Sequence, residues 1–245
     1  MIYVAGLGVK ERDLRVGVFA YNFKHWKTQA GIQNLCIAGY KPVVLLAADP
    51  VELKFYRSKV RIAPRDTFLW HPKELAKFYG IDYRVLKHNS QMTSDIVRSH
   101  NLDVGVVLGA RILKPIAFNH FNIGVLNMHP GILPQNRGLD TIKWAILKDM
   151  PQGVTGHLID GNIDRGFLIK QEEIAIYKDD TLVDLQVRIQ NLEQRLMIDS
   201  LNILSISGGA PLDKLPEGTY HKSVPVDIEK GLELAFTKYK EGRCV

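Results

Sequence analysis

Cysteine is almost absent from this sequence: Cys36 and Cys244 are the only two in 245 residues. Two thiols so far apart make no disulfide framework, so a reducing compartment, the cytoplasm, is the expected location. Long apolar runs are missing as well. None reaches the roughly 18 residues that a membrane-crossing helix needs. The apolar stretch Met1 to Gly8 is too short for a secretory leader and has no positive region ahead of it. No membrane partner is therefore expected. The 20 glycines and 11 prolines are scattered and apolar residues recur throughout, which argues against long disorder. His71, His88, His120, His129 and His157 show no ligand spacing, H-E-x-x-H included, so no metal is expected. Gly6-Leu7-Gly8 has two glycines of a dinucleotide fingerprint but not the third, and the charged KERD after it is a poor first helical turn. No G-x-S-x-G surrounds Ser58, Ser90 or Ser94.

What is present is a chain that is 46% hydrophobic, enough for one sizeable core with a small appendage. The formal charge of +6 favours anionic partners: phosphates, sugar nucleotides, folates with glutamate tails, or RNA. Its densest basic stretch, Lys54 to Arg65, reads either as a solvated loop or as a phosphate-contacting one. With no nucleic-acid-binding motif, charge alone is weak evidence for RNA.

Short β-rich runs alternate with helical stretches. Strands are expected at LRVGVFA (14–20), PVVLLAA (42–48), YRVL (83–86), VGVVLG (104–109) and IGVLNMH (123–129). Helices are expected over 24–38, with Trp26, Ala30, Leu35 and Ala38 on one side, and over 71–80, 91–100, 114–118 and 139–148. Two further β segments, 154–159 and 167–176, flank the turn-rich DGNIDRG. Thr181 and Asp184 form an imperfect capping box, followed by the stripe Leu182, Leu185, Ile189, Leu192, Leu196. A connector, 207–218, leads to a final helix over Asp227 to Lys240. The pattern predicts an α/β fold: an open, mostly parallel, Rossmann-like sheet with helices on both faces and a short C-terminal helical extension. Residues 1–205 form the expected catalytic domain and 206–245 the connector and extension. That last helix is left to pack on a partner subunit, which allows a homodimer.

The informative segment is LNMHPGILPQNRG, 126–138. Asn127 and His129 are two apart at the end of a strand, so their side chains leave the same face, and Pro130-Gly131 breaks the strand there. That is the carboxyl edge at which such sheets open their crevice. Met128 points the other way, toward the core. An amide and an imidazole that converge on one point suit an oxygen gaining negative charge during acyl transfer. The plain alternative is that Asn127 caps the turn and His129 is a structural histidine. Asp164, in DGNIDRG, could orient the imidazole or take a proton from an attacking amine. Asp160 competes with it; spacing favours neither, and both could simply form the turn.

These residues resemble the folate-dependent formyltransferase family, which includes glycinamide ribonucleotide, methionyl-tRNA and sugar N-formyltransferases. The resemblance runs from about Val104 to Leu192, and more loosely back to Leu14. It rests on N-x-H-P-x-x-L-P-x-x-R-G followed by G-V-T-x-H…D-x-G. It implies that Asn127, His129 and Asp164 are catalytic and that 10-formyltetrahydrofolate is the donor. Its pterin would be held near Arg111, Ile112 and Leu113, with Asp160, Gly161 and Asn162 closing another side. It also implies direct attack by the amine through an oxyanion, with no acyl-enzyme. RGLDTIKWAI and LPEGTYHKS are most similar to the sugar N-formyltransferases, so the expected acceptor is a small-molecule amine, a dTDP- or UDP-amino sugar. The reading leans against nucleic acid, because only about 40 residues follow the long helix, where the family's tRNA enzymes carry a barrel domain. Other readings are a methionyl-tRNA or other primary-amine formyltransferase, a formyltetrahydrofolate hydrolase, or a non-catalytic folate- or nucleotide-binding module.

Overall fold

In this computed structural model, residues 13–52, 58, 60–65, 67–210 and 212–245 are described. The MIYVAGLG segment and much of the basic stretch from Lys54 fall outside them. The chain divides into two compact units: Met1–Pro50, Leu69–Asn127 and Met197–Leu212 in the first, Val51–Phe68, Met128–Leu196 and Asp213–Val245 in the second. Its architecture is α/β, with a largely parallel mixed sheet, flanking helices and a short C-terminal helical extension.

The first unit contains β1 (Val16–Tyr21), α1 (Trp26–Ile37), β2 (Val44–Ala48), α2 (Pro72–Tyr79), β3 (Asp82–Val85), α3 (Gln91–Ser99), β4 (Val104–Val107), α4 (Pro115–Phe118) and β5 (Gly124–His129) up to Asn127. These strands run parallel in the order β3-β2-β1-β4-β5. Strands covered on both faces must be apolar on both, and Val16, Val18, Phe19, Val44, Leu45, Leu46 and Val104 are fully buried. The order reverses between β1 and β4, so a crevice is expected beyond their carboxyl ends.

Of the expected face of α1 only Leu35 is buried. The helix buries Thr28, Gly31, Ile32 and Leu35, because it approaches its neighbour backbone-first. A Cβ on Gly31 would lie 2.4 Å from a methyl of Leu108. Glycine carries no hydropathy signal, so this contact face is invisible in an apolar pattern. Cys36 is only half-buried there, and burial pushes its thiol pKa up, away from nucleophile chemistry.

The second unit contains β6 (Arg137–Gly138), α5 (Thr141–Leu147), β7 (Gly153–Ile159), β8 (Gly166–Glu173), the first part of α6 (Leu182–Ser207), β9 (Tyr220–His221), α7 (Val226–Glu229) and α8 (Leu232–Arg243). β7 and β8 are antiparallel, with a register shift at Gly156/His157. The expected final helix is broken at Lys230-Gly231 into α7 and α8. Leu232, Phe236 and Tyr239 are buried within the unit, where α8 packs on α5 and the Tyr239 hydroxyl donates to Met150 O at 2.8 Å.

The start of α6 is built locally. Thr181 N–H donates to Asp184 Oδ2 at 2.8 Å, and Asp184 N–H donates back to Thr181 Oγ1 at 3.2 Å, a reciprocal cap. Leu182, Leu185, Ile189, Leu192 and Leu196 are all buried, as their 3-4-3-4 spacing predicts. Truncating Leu185→Ala should cost about 2–5 kcal/mol, and Thr181→Ala about 1 kcal/mol. Urea unfolding of both variants checks this; a larger loss from the cap than from the core leucine would contradict it.

Candidate active site

β5 delivers His129 to its carboxyl end, where Pro130 ends the strand. His129 is buried, and its Nε2 donates to Asn136 O at 2.7 Å. A carbonyl can only accept, so this nitrogen carries a proton. The other ring nitrogen, Nδ1, lies 3.3 Å from Asp164 Oδ1. Both ring nitrogens thus face acceptors, an arrangement that suits a ring able to hold positive charge.

The loop that carries Asn136 is pinned from several directions. Thr155, buried on β7, donates its hydroxyl to Gly131 O at 2.7 Å and accepts from Leu133 N at 3.1 Å. Gln171 on β8 donates to Leu133 O and to Thr155 Oγ1. Asn136 Nδ2 donates to Thr141 O at 2.8 Å, and Thr141 Oγ1 donates to Pro130 O. Each bond satisfies a polar group that burial would otherwise penalise.

Asp164 sits after β7 in a left-handed conformation, φ 47°. Its Oδ2 accepts from Gly138 N–H at 2.8 Å while Oδ1 faces the imidazole. Burial alone would raise its pKa; the hydrogen bonds and charge of His129, and the Gly138 N–H, outweigh that and hold it below 3.8. Gly138 must be glycine: its φ is 101°, and a Cβ would lie 2.1 Å from His221 O. That closeness follows from the pairing of β6 with β9, Gly138 opposite His221. Asp160 has a different place. Its Oδ1 accepts from Asn162 N–H at 2.7 Å, the signature of a side-chain-closed turn. The competition between the two aspartates is thereby resolved in geometry, with Asp164 as the one at the histidine.

His157 is fully buried on β7, its Nδ1 donating to Arg165 O at 2.9 Å. Burial first, and then the charge of His129, push its pKa down to about 4, so it stays neutral and adds no competing cation. Arg137, at the end of the loop that carries Asn136, reaches Ile163 O, Asp164 O and Gly218 O. Sequence reasoning missed Thr155, Gln171 and this use of Arg137; the signal available was the polar residues set inside two apolar β runs.

Asn127 closes the first unit, paired with Val107 and half-buried. In that same unit Arg111, Ile112 and Leu113 follow β4 directly. Asn89 organises them, donating to Ile112 O at 2.9 Å and accepting from Lys114 N–H at 2.7 Å. Ile112 is 63% exposed, whereas Leu113 is buried. Asp160, Gly161 and Asn162 belong to the second unit. Among the described residues, no group of three His, Cys, Asp or Glu could hold a metal ion, and no helix is long and apolar enough to cross a membrane.

The Formyl transferase family profile matches residues 58–201. The chain belongs to that family. Similar proteins include methionyl-tRNA formyltransferases, among them that of Chlorobium chlorochromatii, 29% identical over 123 residues, or 50% of this chain and 39% of that protein. The chain thus spans well under half the length of such relatives. Phosphoribosylglycinamide formyltransferase from Bacillus halodurans is similar in structure, with TM-score 0.60, 26% identity, and 78% and 94% of the two chains covered. So is the formyltransferase PseJ from Anoxybacillus kamchatkensis, solved with UDP-4,6-dideoxy-4-formamido-L-AltNAc and tetrahydrofolate. Its TM-score is 0.50, at 29% identity, with 70% and 88% covered. The relatives correct one expectation. The leaning against a nucleic-acid partner does not stand, because several of them are enzymes named for a tRNA acceptor.

The depressed pKa of Asp164 couples folding to pH in one direction. The native carboxyl binds its proton less tightly than an unfolded one, so its contribution is present above 3.8 and lost as pH falls through the lower native value. The stability of the wild type relative to Asp164→Asn should shrink as pH falls below about 4. Urea unfolding at a series of pH values measures it; a gap that widens on acidification would refute the assignment.

Proposed function

We propose that this chain moves a formyl group from 10-formyltetrahydrofolate to a primary amine. The observation that carries the reading is the buried His129–Asp164 pair, 3.3 Å apart at the end of β5 and inside the region that the family profile matches. The amine attacks the formyl carbon directly and the carbonyl oxygen takes on charge; collapse of the adduct then breaks the bond to the donor nitrogen, which leaves as tetrahydrofolate with the proton relayed from the amine by Asp164. His129 meets the charge on the oxygen as a donor. Asn127, two residues earlier on β5, supplies a second donor. Such prepared donors are worth about 10²–10³ in rate each, and holding two substrates together contributes the rest. Arg111, Ile112 and Leu113, with Asp160, Gly161 and Asn162, are the folate contacts that the family resemblance implies.

Asp164 stays ionised well below neutrality, so it can receive the proton that the amine sheds. An ammonium has no lone pair, so the acid limb of the rate profile reports the amine, not the protonation of Asp164.

For the acceptor, the methionyl-tRNA formyltransferases among the relatives support an aminoacyl amine carried on tRNA, and a basic chain suits that partner. A nucleotide-linked amino sugar is the second reading, supported by the likeness to PseJ at 29% identity. Supplying donor with methionyl-tRNA, a UDP-4-amino sugar and glycinamide ribonucleotide in parallel separates them. Free formate without formylated amine would mean a hydrolase, and donor binding without turnover a binding module. His129→Ala and Asp164→Ala should each lower transfer by at least about 10², and Asn127→Ala should lower turnover with little loss of donor affinity. Near-wild-type turnover from either of the first two removes the mechanism.

A further inference from the structure

Arg137 is 9% exposed, and the hydrogen bonds of its guanidinium to described residues all end on backbone carbonyls. Nε lies 3.2 Å from both Ile163 O and Asp164 O, Nη2 2.6 Å from Ile163 O, and Nη1 3.1 Å from Gly218 O. Burying a cation is costly unless charge-assisted bonds replace its water. Here they are concentrated on the peptide units that lead into and out of Asp164. That residue is left-handed, a conformation that aspartate tolerates better than most residues but that still benefits from external bonds. Directly beside Arg137, the Gly138 N–H grips the carboxylate of the same aspartate. Two consecutive residues therefore hold Asp164 by its backbone and by its side chain, and the third arm reaches a stretch that the sequence marks only as connector.

We propose that Arg137 is a positioning residue for the formyl transfer, fixing the backbone of Asp164 so that its carboxylate meets His129, and that through Gly218 the segment 213–221 becomes part of the same device. The inference rests on the reading of His129 and Asp164 as the reacting pair. Arginine is required for its geometry. A planar fork can serve two successive carbonyls and a third from another strand segment, whereas lysine offers a point charge.

The test uses Arg137→Lys, Arg137→Ala and, leaving the arginine intact, Gly218→Ala. A Cβ at Gly218 would lie 1.8 Å from Pro134 O, so in this last variant the backbone at 218 or the loop at 134 must shift while the arginine stays. Arg137→Lys should lower kcat about tenfold or more, with KM for the donor within about threefold. Added guanidinium ion should restore part of the rate to Arg137→Ala but none to Arg137→Lys. Independently of any turnover, the ¹³C carboxyl titration of Asp164 should move up toward the ordinary 3.8 in Arg137→Lys and in Gly218→Ala. An unmoved Asp164 titration in these two variants overturns the proposal, whatever the rates do. Should the wild type transfer no formyl group to any acceptor, the titration still decides the positioning claim, while the functional reading fails separately.

Discussion

An ionised carboxylate kept largely from water is the constraint on which the rest of the candidate site depends. Desolvation pushes Asp164 toward its neutral form, and only directed partners reverse that: the imidazole of His129 on one oxygen and the Gly138 N–H on the other. Both partners must then be held still. His129 is tied at its far nitrogen to Asn136 O, and the loop bearing that carbonyl is tied in turn by Thr155, Gln171 and Thr141. Gly138 is set by the two-residue pairing of β6 with β9. These bonds link the loop, the ring and the carboxylate into one network, and such linked buried groups specify a geometry.

The chemistry proposed for this site asks for no nucleophilic cysteine. Neither cysteine lies in it. What the residues around His129 offer is a donor ring backed by a fixed negative charge, suited to an oxygen that becomes anionic as an amine adds to a carbonyl. Membership in the Formyl transferase family agrees with that chemistry. The acceptor is a separate question, because it is set by surfaces away from the reacting carbon. The relatives divide there: some are named methionyl-tRNA formyltransferases, one is named for phosphoribosylglycinamide, and one was solved with a UDP-linked formamido sugar.

Local features were readable from the chain. The capping box at Thr181, the leucine stripe of α6 and the apolar runs of β1, β2 and β4 arise from neighbours within a few residues, and all appear where their spacing puts them. The placement of Asn127 and His129 two residues apart near the end of one strand was legible for the same reason, since strand patterning along β5 is local. Three features were not. The buried face of α1 depends on Gly31, which contributes to packing by what it lacks. The break between α7 and α8 at Gly231 was hidden in a continuous amphipathic pattern. β6 and β9 are too short to have any periodicity at all.

By itself the sequence determined the α/β class, the ends of most elements and the identities of the polar groups at the end of β5, because these follow from the period of apolar residues and from turn chemistry. Only the tertiary structure decided that Asp164 and not Asp160 reaches His129, that Arg137 holds backbone instead of facing outward, and that the connector near Gly218 joins the site. The physical reason is distance along the chain. A carboxylate 35 residues from its histidine, or a carbonyl 81 residues from its guanidinium, leaves no trace in local spacing and is fixed only when the packed strands bring both ends together.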